Sequence, residues 1–526
     1  MTHSQRANRN DEGRSAGRMT RLLLTGAVAA GTLAAGTLPA AAASGQATAA
    51  TAKTQATAKA QAAGKTQATA KAQATAKTPA TAKARAAAPA GRTFTVSSVQ
   101  DLAAKVKDAQ PGDRIELADG TYTFGSAVKI DAKGTKEAPI TIAAATRGKA
   151  ILKGAKTFTF GNASYITITG FEFRQRDQLL IPGSASRVRL TRNVFEFEEP
   201  TTKNNWVAVE GDDVRLDRNT FRHKKSQGVF LQVDGPDDTH YAQRTRVDQN
   251  YFYDHAFTGD NGGEAIRLGY GDKGHIRANA VIEGNLFTKT NGDEETVSVK
   301  ASGNTVKRNT FTDLTRGSVT LRAGNDNTVS GNFLIGAAKL QVYGAGHKVL
   351  NNYLDGTGQL VLGTGDDAHE ASSGVLVAFN TLVGRDAEVL RTNSRGVAAS
   401  DNTIANNLIL GTGGKTVRIT QGNGFTWEGN VFWGGATGKP GDIPADGFVK
   451  ADPKLKADDH GVRRLTADSL KVAAIARAAG SYPDVTEDIN GRTRPSDKHV
   501  GAEQYDPASE LVQLPLTPAG VGPSAP

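Results

Sequence analysis

From Asp293 to Lys300 the chain reads Asp-Glu-Glu-Thr-Val-Ser-Val-Lys, the densest run of chemically useful side chains in the sequence. In an extended strand Asp293 and Glu295 lie two apart and share a face, which makes an oxygen site suited to a hard cation such as calcium. Lys300 lies five residues past Glu295 and falls on the opposite face of a straight strand. Either the chain bends between them or the lysine is ordinary surface charge. Arg322 follows Lys300 by 22 residues, close to one turn of a solenoid, so the two can stack on one face. Upstream, Asn261-Gly262-Gly263-Glu264-Ala265-Ile266-Arg267 brings an amide, a carboxylate and a guanidinium, and a carbonyl oxygen of Asn261 would add a third metal ligand.

The chemistry such a set supports is elimination in a polyuronic acid. The C5 proton beside a sugar carboxylate is weakly acidic, so its removal needs the carboxylate charge neutralised and a base held near the proton. A divalent cation on Asp293, Glu295 and Asn261 would meet the first need. Lys300, its pKa lowered by cationic neighbours such as Arg322, would meet the second. Arg322 would steady the developing negative charge or help to protonate the leaving oxygen. Two rival readings use the same material. A glycan hydrolase needs paired acids, for which Asp293 with Glu295 or Asp366 with Asp367 are available. A non-catalytic glycan-binding module would use the acidic cluster to hold calcium for stability alone.

Elements that bring such distant residues to one face are legible as a repeat. From about residue 188 an Asn recurs, followed two positions later by an aromatic or aliphatic residue. The units are Asn193-Val194-Phe195, Asn219-Thr220-Phe221, Asn250-Tyr251-Phe252, Asn285-Leu286-Phe287, Asn309-Thr310-Phe311, Asn332-Phe333-Leu334, Asn352-Tyr353-Leu354, Asn380-Thr381-Leu382, Asn407-Leu408-Ile409 and Asn430-Val431-Phe432. Their asparagines are 26, 31, 35, 24, 23, 20, 28, 27 and 23 residues apart, a solenoid period with insertions. Short alternating strands with dense Gly and Asn predict an all-β fold, a right-handed parallel β-helix. Each Asn is expected at a turn, sharing amide hydrogen bonds with the Asn of the next coil, while the residue two later faces the core. A leucine-rich repeat would show several Leu per unit and helical segments, and neither is present.

The flanks fit a capped solenoid. Val96 to Ala109 has helical spacing with Ser98 as N-cap and can cover the open N-terminal end of the core. Pro111-Gly112-Asp113 is a turn into a strand over Arg114 to Leu117. The solenoid domain is read as 92–505, with a C-terminal cap from about residue 438 that includes a helix-like Ser469 to Ala479. Residues 506–526 are read as a Pro-rich tail.

Composition narrows the partners. The 526 residues contain no Cys, which excludes disulfides, thiolate metal sites and a cysteine nucleophile. The net charge of +10 resides in the N-terminal segments: residues 1–43 carry +3, residues 44–91 carry +7, and the remainder holds 51 basic and 51 acidic groups. The folded part is thus neutral, and no nucleic-acid partner is implied. Residues 1–43 read as a secretory signal peptide, basic at Arg18 and Arg21, apolar from Leu22 to about Leu38, then small through Ala43. Residues 44–91 read as a disordered linker of Ala, Thr, Lys and Gln with no large side chains to bury. The mature protein is therefore expected outside the cell, free of the membrane once the signal is cleaved.

These motifs together resemble polysaccharide lyase family 6, the chondroitinase B and alginate lyase family. The resemblance runs over about residues 93–505. It includes QPGDRIELADGTY from Gln110, APITIAA from Ala138, NGGEAIRLG from Asn261, DEETVSVKASGNTVKRNTF from Asp293 and GSVTLRAGNDNTVSGNFLIG from Gly317. VYGAGHKVLNNYLDG from Val342 and DINGRTRP followed by VGAEQ complete it. The resemblance implies calcium-assisted β-elimination, with the family base on Lys300, the family arginine on Arg322, and calcium ligands on Asn261, Asp293 and Glu295.

The sequence departs from the family pattern at three points. Asp293 stands where Glu is common, Ala323 follows Arg322 where His is usual, and Gln341 stands where Arg is expected before Val342 and Tyr343. Arg267, Tyr343, His347 and Glu264 would line the substrate groove. Alternatively, Arg267 pairs with Glu264, and His347 is a hydrogen-bonded turn residue. Trp206, Trp427 and Trp433 would stack on sugars or fill core and cap. The partner is an anionic polysaccharide, alginate ahead of dermatan sulfate.

Overall fold

A computed structural model describes residues 91–198, 203–384, 388–411, 415–434 and 440–526. The signal-peptide and linker readings, residues 1–43 and 44–91, lie outside the described residues but for Gly91. Among the described residues, three long parallel sheets dominate, of 14, 14 and 10 strands. Each coil passes through them in turn, as in Val281–Glu283 of the first sheet, Leu286–Thr290 of the second and Val297–Val299 of the third. Within these three sheets successive strands pair in parallel, one coil to the next, and parallel crossovers take the right hand, so the architecture is a right-handed parallel β-helix.

The asparagines build the corner between the first and second sheets. Asn193, Asn219, Asn250, Asn285, Asn309, Asn332, Asn352, Asn380, Asn407 and Asn430 form one continuous ladder. In each step the backbone N–H and the side-chain Nδ2 of one Asn both donate to Oδ1 of the next, as from Asn285 to Asn309 at 2.9 and 3.0 Å. Nδ2 also reaches back to a carbonyl of an earlier coil, for example from Asn219 to Leu190 O at 2.8 Å. The amide thus satisfies buried backbone groups on both sides.

The residue before each Asn is left-handed. Glycine fills that position at Gly284, Gly331 and Gly429, but Arg192, Arg218, Gln249, Arg308, Asn351, Phe379 and Asn406 also adopt φ of 53–57° there. A side chain held at positive φ is disfavoured by steric contact with its own backbone, so the fixed hydrogen bonds of the corner must impose it.

Two residues past each Asn, the side chain is buried. Phe173, Phe195, Phe221, Phe252, Phe287 and Phe311 stack with ring centroids 4.6–4.9 Å apart, matching the inter-strand spacing. Trp206 is in this core, Trp427 packs partly buried against it, and Trp433 is exposed.

The N-terminal helix spans Val99–Lys107, shorter than the expected stretch because Val96 ends the strand Thr93–Val96. Ser98 is its N-cap, its hydroxyl accepting from Asp101 N at 3.0 Å, and Leu102 and Val106 bury into the core. The strand Arg114–Leu117 forms at the expected residues.

At the other end, the helix expected over Ser469 to Ala479 is reduced to a 3₁₀ turn, Ser469–Lys471, and one α-turn, Ala473–Ala476. Its continuation is prevented because Ala478 N donates to Lys498 O and Ala479 N to Asn406 Oδ1, outside any helix. The segment read as a tail is docked along the solenoid. Leu516 N donates to Thr310 Oγ1 at 2.8 Å, and Val521 and Ala525 are buried. The left-handed Arg192 donates to the carbonyls of Pro523 and Ala525 at 2.8 and 2.7 Å, and Arg218 donates to Pro526 O at 3.0 Å.

Candidate active site

The third sheet carries the candidate site on its outer face. Val297 and Val299 point inward, so Lys300 continues the alternation outward with Ser298; the strand begins only at Val297, and the bend at Thr296 just before it brings Glu295 near Lys300 rather than onto the opposite face. Val299 pairs with Leu321, and Leu321 with Val342, which sets Lys300, Arg322 and Tyr343 in one row across three coils. Adjacent members are one strand spacing apart, about 4.8 Å at the backbone.

Lys300 is only 4% exposed, and among the described residues none accepts a hydrogen bond from its Nζ. Burial lowers its pKa, and the Arg322 cation lowers it further, against the opposing pull of Glu264 and Glu295. Arg322 Nε lies 3.2 Å from Glu295 Oε1, and the two side chains are partly exposed. An amine with no partner and a depressed pKa can accept a proton; a fixed guanidinium beside it can hold negative charge.

Asp293 is spent differently. Its Oδ2 accepts from Gly262 N and Gly263 N at 2.7 and 3.2 Å, and its Oδ1 from Glu295 N at 3.1 Å. The short side chain thus ties two neighbouring turns together. Close approach there depends on glycine: a Cβ on Gly263 would lie 2.1 Å from Gly292 O, and Gly262 has φ +90°. Burial, followed by the charge of Glu264, pushes the Asp293 carboxyl up to about 6. Asn261 is exposed, and its backbone carbonyl accepts from Gln227 Nε2 at 3.0 Å.

Glu264, expected to line the groove, is 1% exposed, with Oε1 3.8 Å from Arg267 Nη1. Its Oε2 has no hydrogen-bond partner, nor has the buried Oε2 of Glu295. Among the described residues no three His, Cys, Asp or Glu side chains form a metal cage by themselves. The two orphaned oxygens and the raised pKa of Asp293 nevertheless mark a local excess of negative charge that fits a hard cation. Glu264 and Glu295 each keep one oxygen without a hydrogen bond, whereas both oxygens of Asp293 accept hydrogen bonds from backbone N–H groups.

Arg267 is buried as the other reading of the sequence allowed. Its Nε donates to Gln232 Oε1 at 2.6 Å and its guanidinium sits 4.8 Å over the Tyr270 ring. His347 does not line the groove. It is fully buried, Nδ1 accepts from Asn327 N at 3.0 Å, and Nε2 lies 2.8 Å from Tyr343 O. It continues a second ladder in which Asn304 N donates to Asn327 Oδ1, so an imidazole stands where a corner amide would.

Tyr343, in the row of Lys300 and Arg322, accepts from Asn393 Nδ2 at 3.0 Å and packs against His369 at 4.9 Å. His369, Asn393 and Arg395 were not singled out from sequence; they lie in loops of later coils, outside the Asn repeat. Arg267, Ser298, Thr320 and Gln341 share one outward row, and Gln341 Nε2 donates to Ser318 Oγ at 3.1 Å.

No curated protein sequence is significantly similar to the chain. Among solved structures, the alginate lyase AlyGC of polysaccharide lyase family 6 matches with 24% identity and a TM-score of 0.64, covering 75% of this chain and 60% of that one. The chain thus spans less than two thirds of that lyase. A mannuronic-acid-specific family 6 lyase from human gut microbiota matches at 23% identity and TM-score 0.58, covering 69% and 91%. A family 6 polysaccharide lyase from Pseudopedobacter saltans matches at 20% and 0.54, covering 82% and 99%. These likenesses establish the fold. The family model described as Chondroitinase B matches residues 96–361, half of the chain. The parallel β-helix and this match lead to one conclusion: the chain belongs to polysaccharide lyase family 6, the chondroitinase B and alginate lyase family.

Proposed function

We propose that this protein is a secreted polysaccharide lyase that cleaves a polyuronate, alginate before dermatan sulfate, by β-elimination. The observation that carries the reading is Lys300, buried beside Arg322 with no hydrogen-bond acceptor for its amine among the described residues. In its neutral form Lys300 takes the C5 proton. The electron pair left behind forms the C4–C5 double bond, the C4–O bond to the leaving sugar breaks, and the leaving oxygen takes a proton from water, while Lys300 returns its proton to solvent. Arg322 holds the charge that builds on the substrate carboxylate and the departing oxygen.

Glu264 and Glu295, with Asn261 and Asp293, would hold calcium. When bound, calcium would supply neutralisation of the substrate carboxylate. Alginate is put first because Gln341 stands where the family resemblance leads to an expected arginine, which removes one contact for a sulfate. Dermatan sulfate stands second because the matching family model is described as Chondroitinase B. Export rests on the basic, apolar and small-residue pattern of residues 1–43.

The test is ultraviolet absorbance of an unsaturated uronate when the protein meets alginate and, separately, dermatan sulfate. A rise on one polymer, absent in Lys300→Ala, supports the reading. Release of reducing sugar without absorbance replaces it with hydrolysis.

A further inference from the structure

Beyond Arg322 and Tyr343 the groove contains an imidazole with one nitrogen committed. His369 Nδ1 lies 2.9 Å from Asp366 Oδ1 and 3.2 Å from Arg395 Nη1, and Arg395 also pairs with Asp366. The ring rests on Tyr343 at 4.9 Å, and the guanidinium of Arg395 stands 5.7 Å from the centre of the same tyrosine ring. Tyr343 follows Arg322 by one coil in the same row, since Leu321 pairs with Val342, so His369 on Tyr343 lies on the same side of the sheet as Arg322. Among the described residues nothing bonds to Nε2 of His369, and the side chain is 16% exposed. Ala323, next to Arg322, has no polar side chain, and His347 is fully buried. An anchored ring with one nitrogen left over is a preorganised hydrogen-bonding group.

We propose that His369 is a substrate-binding residue, its Nε2 taking a hydroxyl or carboxylate of a uronate ring on the Tyr343 side of the bond that is cut. Asp366 and Arg395 hold the imidazole in place, and Tyr343 supports its face. Tyr343 lies two coils from Lys300, about 10 Å, so the sugar bound here is not the one that loses its proton. The proposal rests on the lyase reading of this groove.

The test is calorimetric binding of hexasaccharides and disaccharides of alginate and of dermatan sulfate to the full chain carrying Lys300→Ala, with and without His369→Ala. The hexasaccharide that binds should lose about tenfold in affinity on His369→Ala, the worth of one hydrogen bond to a charged or polar ligand group. Disaccharide affinity and melting temperature should stay unchanged, and His369→Gln should recover part of the loss. Unchanged hexasaccharide affinity overturns the proposal, as does an equal loss for both lengths accompanied by a lower melting temperature. Absence of any hexasaccharide binding to Lys300→Ala overturns it together with the polyuronate reading. Turnover by Lys300→Ala overturns only the role of that lysine, since the affinity comparison does not depend on it.

Discussion

Lys300 and Arg322 leave the third sheet at the same position of neighbouring coils, because Val299 is paired with Leu321, and Lys300 is the more deeply buried of the two. The proposed base and the proposed charge-holding group are therefore fixed side by side by backbone hydrogen bonds, without depending on contact between their side chains. Replacing the base should be costly: Lys300→Ala is expected to lower the rate of unsaturated product formation by about 10²–10⁴-fold. Lys300→Arg should not restore it, because a guanidinium keeps its proton. Initial rates by absorbance check both.

The same pair sets a pH dependence. As the proposed base Lys300 would act only when neutral, and Arg322 is one cause of its lowered pKa. Arg322→Gln removes that cause, so the rise of activity with pH should move to higher pH. Arg322→Lys keeps the cation and should leave the rise nearer its original place. Rate profiles of the three proteins from pH 6 to 10 decide the matter, and an unmoved limb in Arg322→Gln would count against the coupling.

Asp293 predicts an opposite trend in stability. Its carboxyl has a folded value of about 6 against an ordinary 3.8, so the stability it contributes is complete below pH 3.8 and is lost as pH rises through about 6. The loss is at most about 3 kcal/mol. Asp293→Asn should therefore gain melting temperature relative to the parent on going from pH 4 to pH 7, where Asn can still accept from Gly262 N and Gly263 N. A constant difference between the two across that range would contradict the assignment.

Calcium, if held by the orphaned oxygens of Glu264 and Glu295, stabilises the folded chain by mass action. Melting temperature should rise with added calcium and fall after chelation, and the rise should shrink in Glu264→Gln. A calcium-insensitive melting curve alongside undiminished turnover after chelation would remove the metal from the mechanism, leaving Arg322 to neutralise the carboxylate.

The amide ladder is the most exposed prediction of the fold. Asn309→Ala strands the buried backbone N–H of Asn285, takes one acceptor from Asn285 Nδ2, and removes the bonds of Asn309 Nδ2 to Asn332 Oδ1 and Ile282 O. The expected cost is on the order of 3 kcal/mol by chemical denaturation.

The ladder was legible because its rule is local: one Asn per coil and a core residue two later, repeated enough to be read without knowing the coil lengths. The row of Lys300 and Arg322 was legible for the same reason, as a spacing of one coil. The bend before Val297 was not, since a three-residue strand between two polar groups has the same composition as a longer one. His347 was left between two roles because a histidine and an asparagine serve a corner equally well, and only the fold tells which nitrogen meets which backbone group. The docking of residues 506–526 rests on arginines at left-handed corner positions, Arg192 and Arg218, which carry no mark in the sequence. The Asp366, His369 and Arg395 cluster joins two coils across loops of unequal length, where a periodic reading has no purchase.

Between the first and second sheets the corner has two residues, the left-handed one and its Asn, as from Glu283 to Leu286 and from Leu350 to Tyr353. The unequal coil lengths are therefore absorbed on the other side: Ala256 to Ala265 and Gly269 to Ala280 in the longest coil, against Ala337 to Ala338 and Tyr343 to His347 in the shortest. The molecule resembles a bound book, stitched along one edge and free to vary its pages at the other. Loops that meet a polymer can be lengthened or exchanged one at a time while the spine keeps every neighbouring page, and the groups printed on it, at the same height.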